Sequence, residues 1–95
     1  MDLGTAIKAI RKEKKMGQKE LADQSGISVN ALSQIELNNT FPQKSNLEKI
    51  CKALDIPVSY LLFFSIGEED IPEEKRGTFN ILNDAIRNLL IEVKK

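Results

Sequence analysis

The sequence contains no histidine, and Cys51 is the only cysteine among its 95 residues. Without histidine, the chain lacks the most common general base, the most common metal ligand and the usual partner of a serine or cysteine nucleophile. A single cysteine excludes a disulfide within the chain and fits a reducing compartment. No carboxylate cluster, phosphate loop or ligand pocket is legible either. We therefore expect no enzyme, no metal, no cofactor and no small-molecule ligand.

Long apolar runs are also missing. The longest candidate, residues 60–64, makes one or two helical turns, whereas a membrane-spanning helix needs roughly 18 apolar residues. The first helix follows Met1 almost directly, so we expect no signal segment. Apolar residues at 41% and charged residues at 29% are typical of a soluble globular protein. These features predict a cytoplasmic protein with no membrane partner.

The formal net charge is zero, but it is unevenly distributed. Residues 1–66 carry nine Lys and Arg against seven Asp and Glu, a balance of +2, and residues 67–95 carry five against seven, a balance of −2. The sequence therefore predicts a basic edge on an otherwise neutral protein. Six cations within twelve residues form this edge: Lys8, Arg11, Lys12, Lys14, Lys15 and Lys19.

Apolar residues recur at steps of three and four along the chain, and no segment alternates as a strand would. The pattern predicts an all-α protein. The second helix begins at Gln18 and ends before Gly26, and the third covers residues 28–36. The fourth is expected to begin with a capping box formed by Ser45 and Glu48.

The most informative stretch is residues 18–35, which read Q-K-E-L-A-D-Q-S-G-I-S-V-N-A-L-S-Q-I. This pattern predicts two short helices joined by a tight turn and packed at a steep angle. Ala22 is small where the helices cross, Gly26 makes the turn, and Leu32 and Ile35 belong to the shared core. Such an arrangement leaves one face of the third helix free to enter a DNA major groove about 12 Å wide.

Three stretches resemble the phage-repressor and Cro-like family of helix-turn-helix domains, also called the Xre family. They are I-K-A-I-R-K-E-K-K-M-G-Q-K-E-L-A, S-G-I-S-V-N-A-L-S-Q-I-E and L-E-K-I-C-K-A-L-D-I-P, and the resemblance covers residues 5 to about 64. It implies a five-helix domain over residues 1–66, operator binding through the third helix, action as a dimer, and an ion pair between Arg11 and Glu36. Asn38 departs from the family, which usually has glycine there, but asparagine also adopts the left-handed conformation.

Because Leu32 and Ile35 define the buried side of the third helix, the opposite side is expected to contact DNA bases. Asn30 and Gln34 lie one turn apart, and each can read adenine through paired donor and acceptor contacts. Val29 could touch a thymine methyl group, although it could also pack as a partly buried staple. A solvated face is the alternative for the whole set. The predicted base-contact residues are Val29, Asn30, Ser33 and Gln34.

Residues at the start of the second helix and in the loop after the third helix are expected to contact the DNA backbone. Gln18 opens the second helix, where its side chain and free backbone N–H groups can meet a phosphate. The loop after the third helix supplies Asn39 and Thr40, and Lys44 follows shortly afterwards. The alternative for these last three residues is a solvated loop.

The C-terminal part lies outside the resemblance. Residues 67–77 read as an acidic linker, and residues 78–95 as an amphipathic helix with a heptad-like apolar stripe. This stripe is too apolar to remain in water; it could fold back onto the preceding domain or pair with a second copy, and we predict a homodimer. The predicted dimerisation residues are Phe79, Leu82, Ile86, Leu89 and Val93.

These patterns predict a transcriptional regulator, specifically a repressor, that binds a pseudo-palindromic operator in double-stranded DNA. A protein-interaction module, such as an antitoxin whose C-terminal helix binds a partner protein, is the alternative.

Overall fold

The computed structural model describes residues 2–90, with side chains through Asn88. This part of the chain is helical and contains no strand, so the predicted all-α fold is confirmed. Among the same residues, no helix has both the length and the apolar character that crossing a membrane requires. The elements are α1 (Leu3–Glu13), α2 (Gln18–Ser25), α3 (Val29–Glu36), α4 (Lys44–Leu54), α5 (Val58–Phe64) and α6 (Arg76–Leu90), with 3-10 turns at Glu68–Asp70 and Glu73–Lys75.

One apolar core joins α1 to α5, in which α2 packs on both α3 and α4 while α1 packs on α3 and α5. Each of these helices has only 7 to 11 residues. Helices this short are marginal in isolation, so burial of their apolar faces must stabilise them. The largest fully buried side chains are Ile7, Ile10, Leu21, Leu32, Ile50, Leu54 and Leu61.

The connection between α2 and α3 is a single tight turn. Gly26 has a φ of 73°, in the left-handed region that glycine adopts without steric penalty. The Ile27 N–H then donates to the Ala22 carbonyl at 3.1 Å, which closes the end of α2. Ser28 begins the next helix, because its hydroxyl accepts a hydrogen bond from the Ala31 N–H at 3.0 Å. The turn therefore fixes the direction of α3 within three residues of the end of α2.

The end of α3 is joined to the start of α1 through Asn38. This residue has a φ of 63°, its Oδ1 accepts from the Gly4 N–H at 2.9 Å, and its Nδ2 donates to Thr5 Oγ1 at 3.1 Å. Gly4 approaches so closely that a Cβ there would overlap the carbonyl oxygen of Ile35. Asn38 thus both makes the left-handed turn and caps α1, a second role that glycine at this position could not perform.

The start of α4 differs from the prediction. Gln43, in an extended conformation, is the N-cap residue, its side chain makes no capping hydrogen bond, and the helix begins at Lys44. The predicted capping box of Ser45 and Glu48 is therefore wrong. The helix starts immediately after Pro42 and Gln43, so Ser45 already lies within its first turn, where it cannot take the non-helical conformation of a cap.

The segment before α6 is folded into short turns. The Gly67 N–H donates to Asp70 Oδ2 at 3.0 Å, and this hydrogen bond lowers the pKa of the Asp70 carboxyl. Arg76 Nε donates to the Ile71 carbonyl at 3.0 Å. The last helix begins at Arg76, two residues before the start expected from the apolar pattern.

Side-chain contacts hold α6 against α5 and the end of α1. The Phe79 ring lies 5.7 Å from that of Phe63, and Ile86 packs against the core. Arg87 forms an ion pair with Glu13 and places its guanidinium group 5.8 Å from the Phe64 ring centre. One face of α6 is therefore covered by its own chain.

Cys51 lies in the core on α4 and is 2% exposed. Burial raises the pKa of its thiol from 9.0 to about 11, because the charged thiolate would lose its hydration. Cys51 is therefore a buried core thiol, and its raised pKa disfavours a redox role.

Candidate nucleic-acid interface

The outer face of α3 presents all four residues predicted to contact bases. Val29 is 39% exposed, Asn30 is exposed, and Ser33 and Gln34 are partly exposed. The opposite face, which includes Leu32, is buried against α2 and α1. The structure therefore brings these four side chains together on one accessible surface of a short helix.

A buried ion pair fixes the C-terminal end of α3. Arg11 Nε and Nη2 donate to Glu36 Oε2 and Oε1 at 2.8 and 3.0 Å, and Arg11 Nη1 donates to the Met16 carbonyl at 2.9 Å. Arg11 is 8% exposed and Glu36 is 6% exposed. The two-pronged geometry of a guanidinium and a carboxylate restricts the orientation of both groups. Arg11 therefore positions α3 against α1, as the resemblance implied.

Gln18 belongs to the same network. Its Nε2 donates to Glu36 Oε1 at 3.1 Å, which connects the first residue of α2 to the last residue of α3. The first N–H groups of α2 have no partner within the helix, because a helix leaves its first four N–H groups unpaired. Those groups can donate to an anion such as a phosphate.

A polar cleft of about 320 Å³ opens beside this network, between α1 and α3. Cations from the basic edge stand at its margin on α1, and Ser33 and Leu37 line it from α3. Lys19, another cation of that edge, instead pairs with Asp23 at 3.1 Å on the surface. The sequence does not distinguish these cations, whereas the fold places three of them, Lys8, Arg11 and Lys12, next to the face of α3. The lining residues are Lys8, Arg11, Lys12, Gln18, Ser33, Glu36 and Leu37.

The loop after α3 borders the same face at the C-terminal end of the helix. Asn39 Nδ2 donates to Gln34 Oε1 at 3.0 Å. Thr40 is exposed in this loop, and Lys44 is exposed at the start of α4. The predicted phosphate-contact residues thus lie near the C-terminal end of α3, with Gln18 bonded to Glu36 and Asn39, Thr40 and Lys44 following along the chain.

Sequence reasoning missed two features of this surface. It assigned no role to Phe41, which is among the most exposed large apolar side chains and lies in the same loop. It also treated Gln34 and Asn39 separately, although the two amides are hydrogen-bonded. The sequence signal for this hydrogen bond was the spacing of the two amides, which lie five residues apart on either side of the end of a helix.

Two short helices joined by a left-handed turn, the second with an exposed polar face, define a helix-turn-helix domain. A family model described as "Helix-turn-helix" matches residues 7–61, more than half of the chain. The chain therefore belongs to the helix-turn-helix family, and the resemblance to its phage-repressor-like members is confirmed.

Three relatives illustrate the similarity. The immunity repressor protein of Bacillus phage phi105 is 39% identical over 80 residues, covering 84% of this chain and 53% of the phage protein. The HTH-type transcriptional regulator SinR of Bacillus subtilis is 43% identical over 61 residues, covering 63% of this chain and 55% of SinR. Repressor protein C2 of Salmonella phage P22 is 32% identical over 85 residues, covering 85% and 39%. The chain therefore spans about half the length of the relatives it matches, or less.

Proposed function

We propose that this protein is a transcriptional repressor that binds double-stranded DNA sequence-specifically, with α3 in the major groove. The observation that carries this proposal is the exposed face of α3, whose amide side chains project from a helix fixed by a buried ion pair. Relatives named as an immunity repressor and a repressor protein support it. We also propose that the protein is non-catalytic and acts in the cytoplasm.

Within this proposal, Asn30 and Gln34 read base edges, Val29 contacts a thymine methyl group, and Ser33 lies close enough to add a contact. Backbone contacts position the helix without reading sequence. Gln18 supplies them at the start of α2, and Asn39, Thr40 and Lys44 supply them from the loop after α3 and the start of α4. Lys8 and Lys12 in the cleft add attraction that weakens as salt rises.

Replacing Asn30 and Gln34 with alanine tests the assigned face. Each substitution is expected to weaken specific binding by about tenfold, because a base contact is lost, while binding to unrelated DNA changes little. Mobility-shift titration measures binding, and circular dichroism checks the fold. Gln24→Ala, an exposed amide near the end of α2, is the matched control and should bind as the wild type does. Unchanged specific binding by the double variant would show that another surface reads the DNA.

We further propose that the protein acts as a homodimer through α6, on a pseudo-palindromic operator with half-sites about 34 Å apart. Phe79 and Ile86 of the predicted stripe pack on their own chain. Val93 and the side chain of Leu89 lie outside the part of the chain that the structure describes. Leu82 is 50% exposed, and the neighbouring Ile81 is 73% exposed. A second copy covering these two residues would remove an apolar surface from water.

Sedimentation velocity tests this assembly. The wild type is expected to dimerise, and Ile81→Asp combined with Leu82→Asp to be monomeric, because burying two unpaired carboxylates is unfavourable. Lys52→Asp, an exposed charge change on α4, is the control and should remain dimeric. A monomeric wild type at all concentrations would contradict the homodimer. Capture of a different protein by the same face would then favour the interaction-module alternative.

A further inference from the structure

We propose that Asn39 sets the base preference of the protein by orienting the side chain of Gln34, so that Gln34 reads guanine rather than adenine. This inference rests on the proposed DNA-binding function and names the base at one operator position. Asn39 is a positioning residue in this account, because it acts through Gln34. Its second amide hydrogen remains available for a phosphate.

Main-chain hydrogen bonds fix the position of Asn39. The N–H groups of Asn39 and Thr40 donate to the main-chain carbonyl of Gln34 at 3.0 and 3.3 Å. The preceding residue, Asn38, is held by its contacts with Gly4 and Thr5 on α1. The loop therefore folds back on the last turn of α3, and the Asn39 side chain is held beside that of Gln34.

The loop also orients the Gln34 amide. Its Oε1 accepts a hydrogen bond from Asn39 Nδ2 at 3.0 Å. The oxygen and the NH₂ group of an amide lie on opposite sides of the group, so holding the oxygen at the loop turns the NH₂ donor away from the loop. Because Gln34 lies on the exposed face of α3, we infer that this donor faces the DNA.

The NH₂ donor of Gln34 suits one base better than the others. Guanine presents two acceptors in the major groove, O6 and N7, which suit a single NH₂ donor. Paired reading of adenine needs the amide oxygen to face the adenine N6 group, whereas here that oxygen is turned towards Asn39 Nδ2 in the loop. Thymine offers one acceptor, and cytosine offers a donor that would face the amide hydrogens. We therefore expect guanine first, thymine second, and about a tenfold preference for guanine over adenine.

Substitutions at Asn39 in the full chain test the inference. An operator is first selected from random double-stranded DNA, and Gln34→Ala then identifies the position at which discrimination is lost. All four base pairs are placed at that position, and binding is measured for the wild type, Asn39→Asp and Asn39→Ala. Aspartate has nearly the shape of asparagine but only accepts, so it should attract the Gln34 NH₂ group and turn the amide oxygen towards the DNA.

For the wild type we expect a preference for guanine. Asn39→Asp should reverse it by about tenfold in favour of cytosine or adenine, both of which present a donor. Asn39→Ala frees the amide, so the ratio between guanine and adenine should fall towards one. Ratios are compared within each variant, so the added negative charge of aspartate cancels. The position read by Asn30, identified in the same way with Asn30→Ala, is the internal control and should keep its preference in all three proteins.

Three results would overturn the inference: adenine preferred by the wild type, identical base ratios in all three proteins, or no position affected by Gln34→Ala. If the wild type selects a sequence and either of the first two results is observed, the proposed function stands and only the role of Asn39 is wrong. If Gln34→Ala affects no position, sequence-specific binding stands, but the base contact proposed for Gln34 is wrong as well. If the wild type enriches no sequence, the proposed function fails as well.

Discussion

Replacing Glu36 with alanine is expected to destabilise the protein by about 3–5 kcal/mol, because it leaves the guanidinium group of Arg11 buried without its partner. Glu36 accepts hydrogen bonds from both Arg11 and Gln18, so one substitution removes three bonds. Arg11 is 8% exposed and cannot recover full hydration without a local opening of the fold. The free energy of unfolding, measured by urea denaturation, reports the effect.

Two further variants compare how much a buried ion pair and an exposed ion pair contribute to the free energy of unfolding. Asp23→Ala removes the surface ion pair between Lys19 and Asp23, and its expected cost is below about 1 kcal/mol. Combining Arg11→Met with Glu36→Leu replaces both charges by apolar side chains and should recover most of the stability lost in Glu36→Ala. A loss below 1 kcal/mol for Glu36→Ala would contradict the role given to this pair in holding α3.

Gly4→Ala is expected to destabilise the protein by about 3 kcal/mol, at the upper end of the usual range for inserting an atom into a well-packed site. Within a helix, alanine is normally better than glycine by about 0.5–1 kcal/mol. Here a Cβ would overlap the Ile35 carbonyl oxygen and stand 2.7 Å from Asn38 Oδ1. The start of α1 and the end of α3 would have to separate, and urea denaturation would measure the loss.

Gly77→Ala is the matched control for this substitution. Gly77 lies in the first turn of α6, and no atom lies within 4 Å of an added Cβ. Alanine there should stabilise the protein by about 0.5–1 kcal/mol, because helix propensity acts without a clash. If Gly4→Ala is neutral or stabilising too, the close approach of α1 and α3 is not a feature of the protein in solution.

The helix-turn-helix unit could be predicted because its determinants are local. Ala22 and Gly26 are needed for steric reasons within a stretch of 18 residues, and the spacing of Leu32 and Ile35 reveals which side of α3 is buried. By contrast, the hydrogen bond between Gly4 and Asn38 joins residues 34 positions apart. Nothing near Gly4 in the sequence shows that its lack of a side chain lets α3 approach α1.

The position of α6 could not be decided from its pattern. A repeat of three and four residues shows that a helix has an apolar face, but it does not show which molecule covers that face. The structure shows that the chain itself covers Phe79 and Ile86, while Ile81 and Leu82 remain exposed. The start of α4 was missed for a different reason. Ser45 and Glu48 have the spacing of a capping box, but the backbone becomes helical before Ser45.

In the candidate site, too, some features follow from local sequence and others depend on contacts between distant residues. The exposed amides of α3 follow from helical periodicity, and so does their availability to bases. The orientation of the Gln34 amide depends on a loop whose path is set by Asn38 and its contacts with α1. Helical periodicity therefore predicted which residues lie on the exposed face of α3, but it could not predict which hydrogen-bonding group of Gln34 is bound to the loop.

Selection of bound sequences from a random pool of double-stranded DNA, using the full chain, tests the central proposal most directly. We expect one enriched motif made of two inverted half-sites with centres about 34 Å apart. The variant carrying both Asn30→Ala and Gln34→Ala should fail to enrich that motif while keeping its helical fold. No enrichment by the wild type, or the same motif enriched by the variant, would contradict DNA reading through the exposed face of α3.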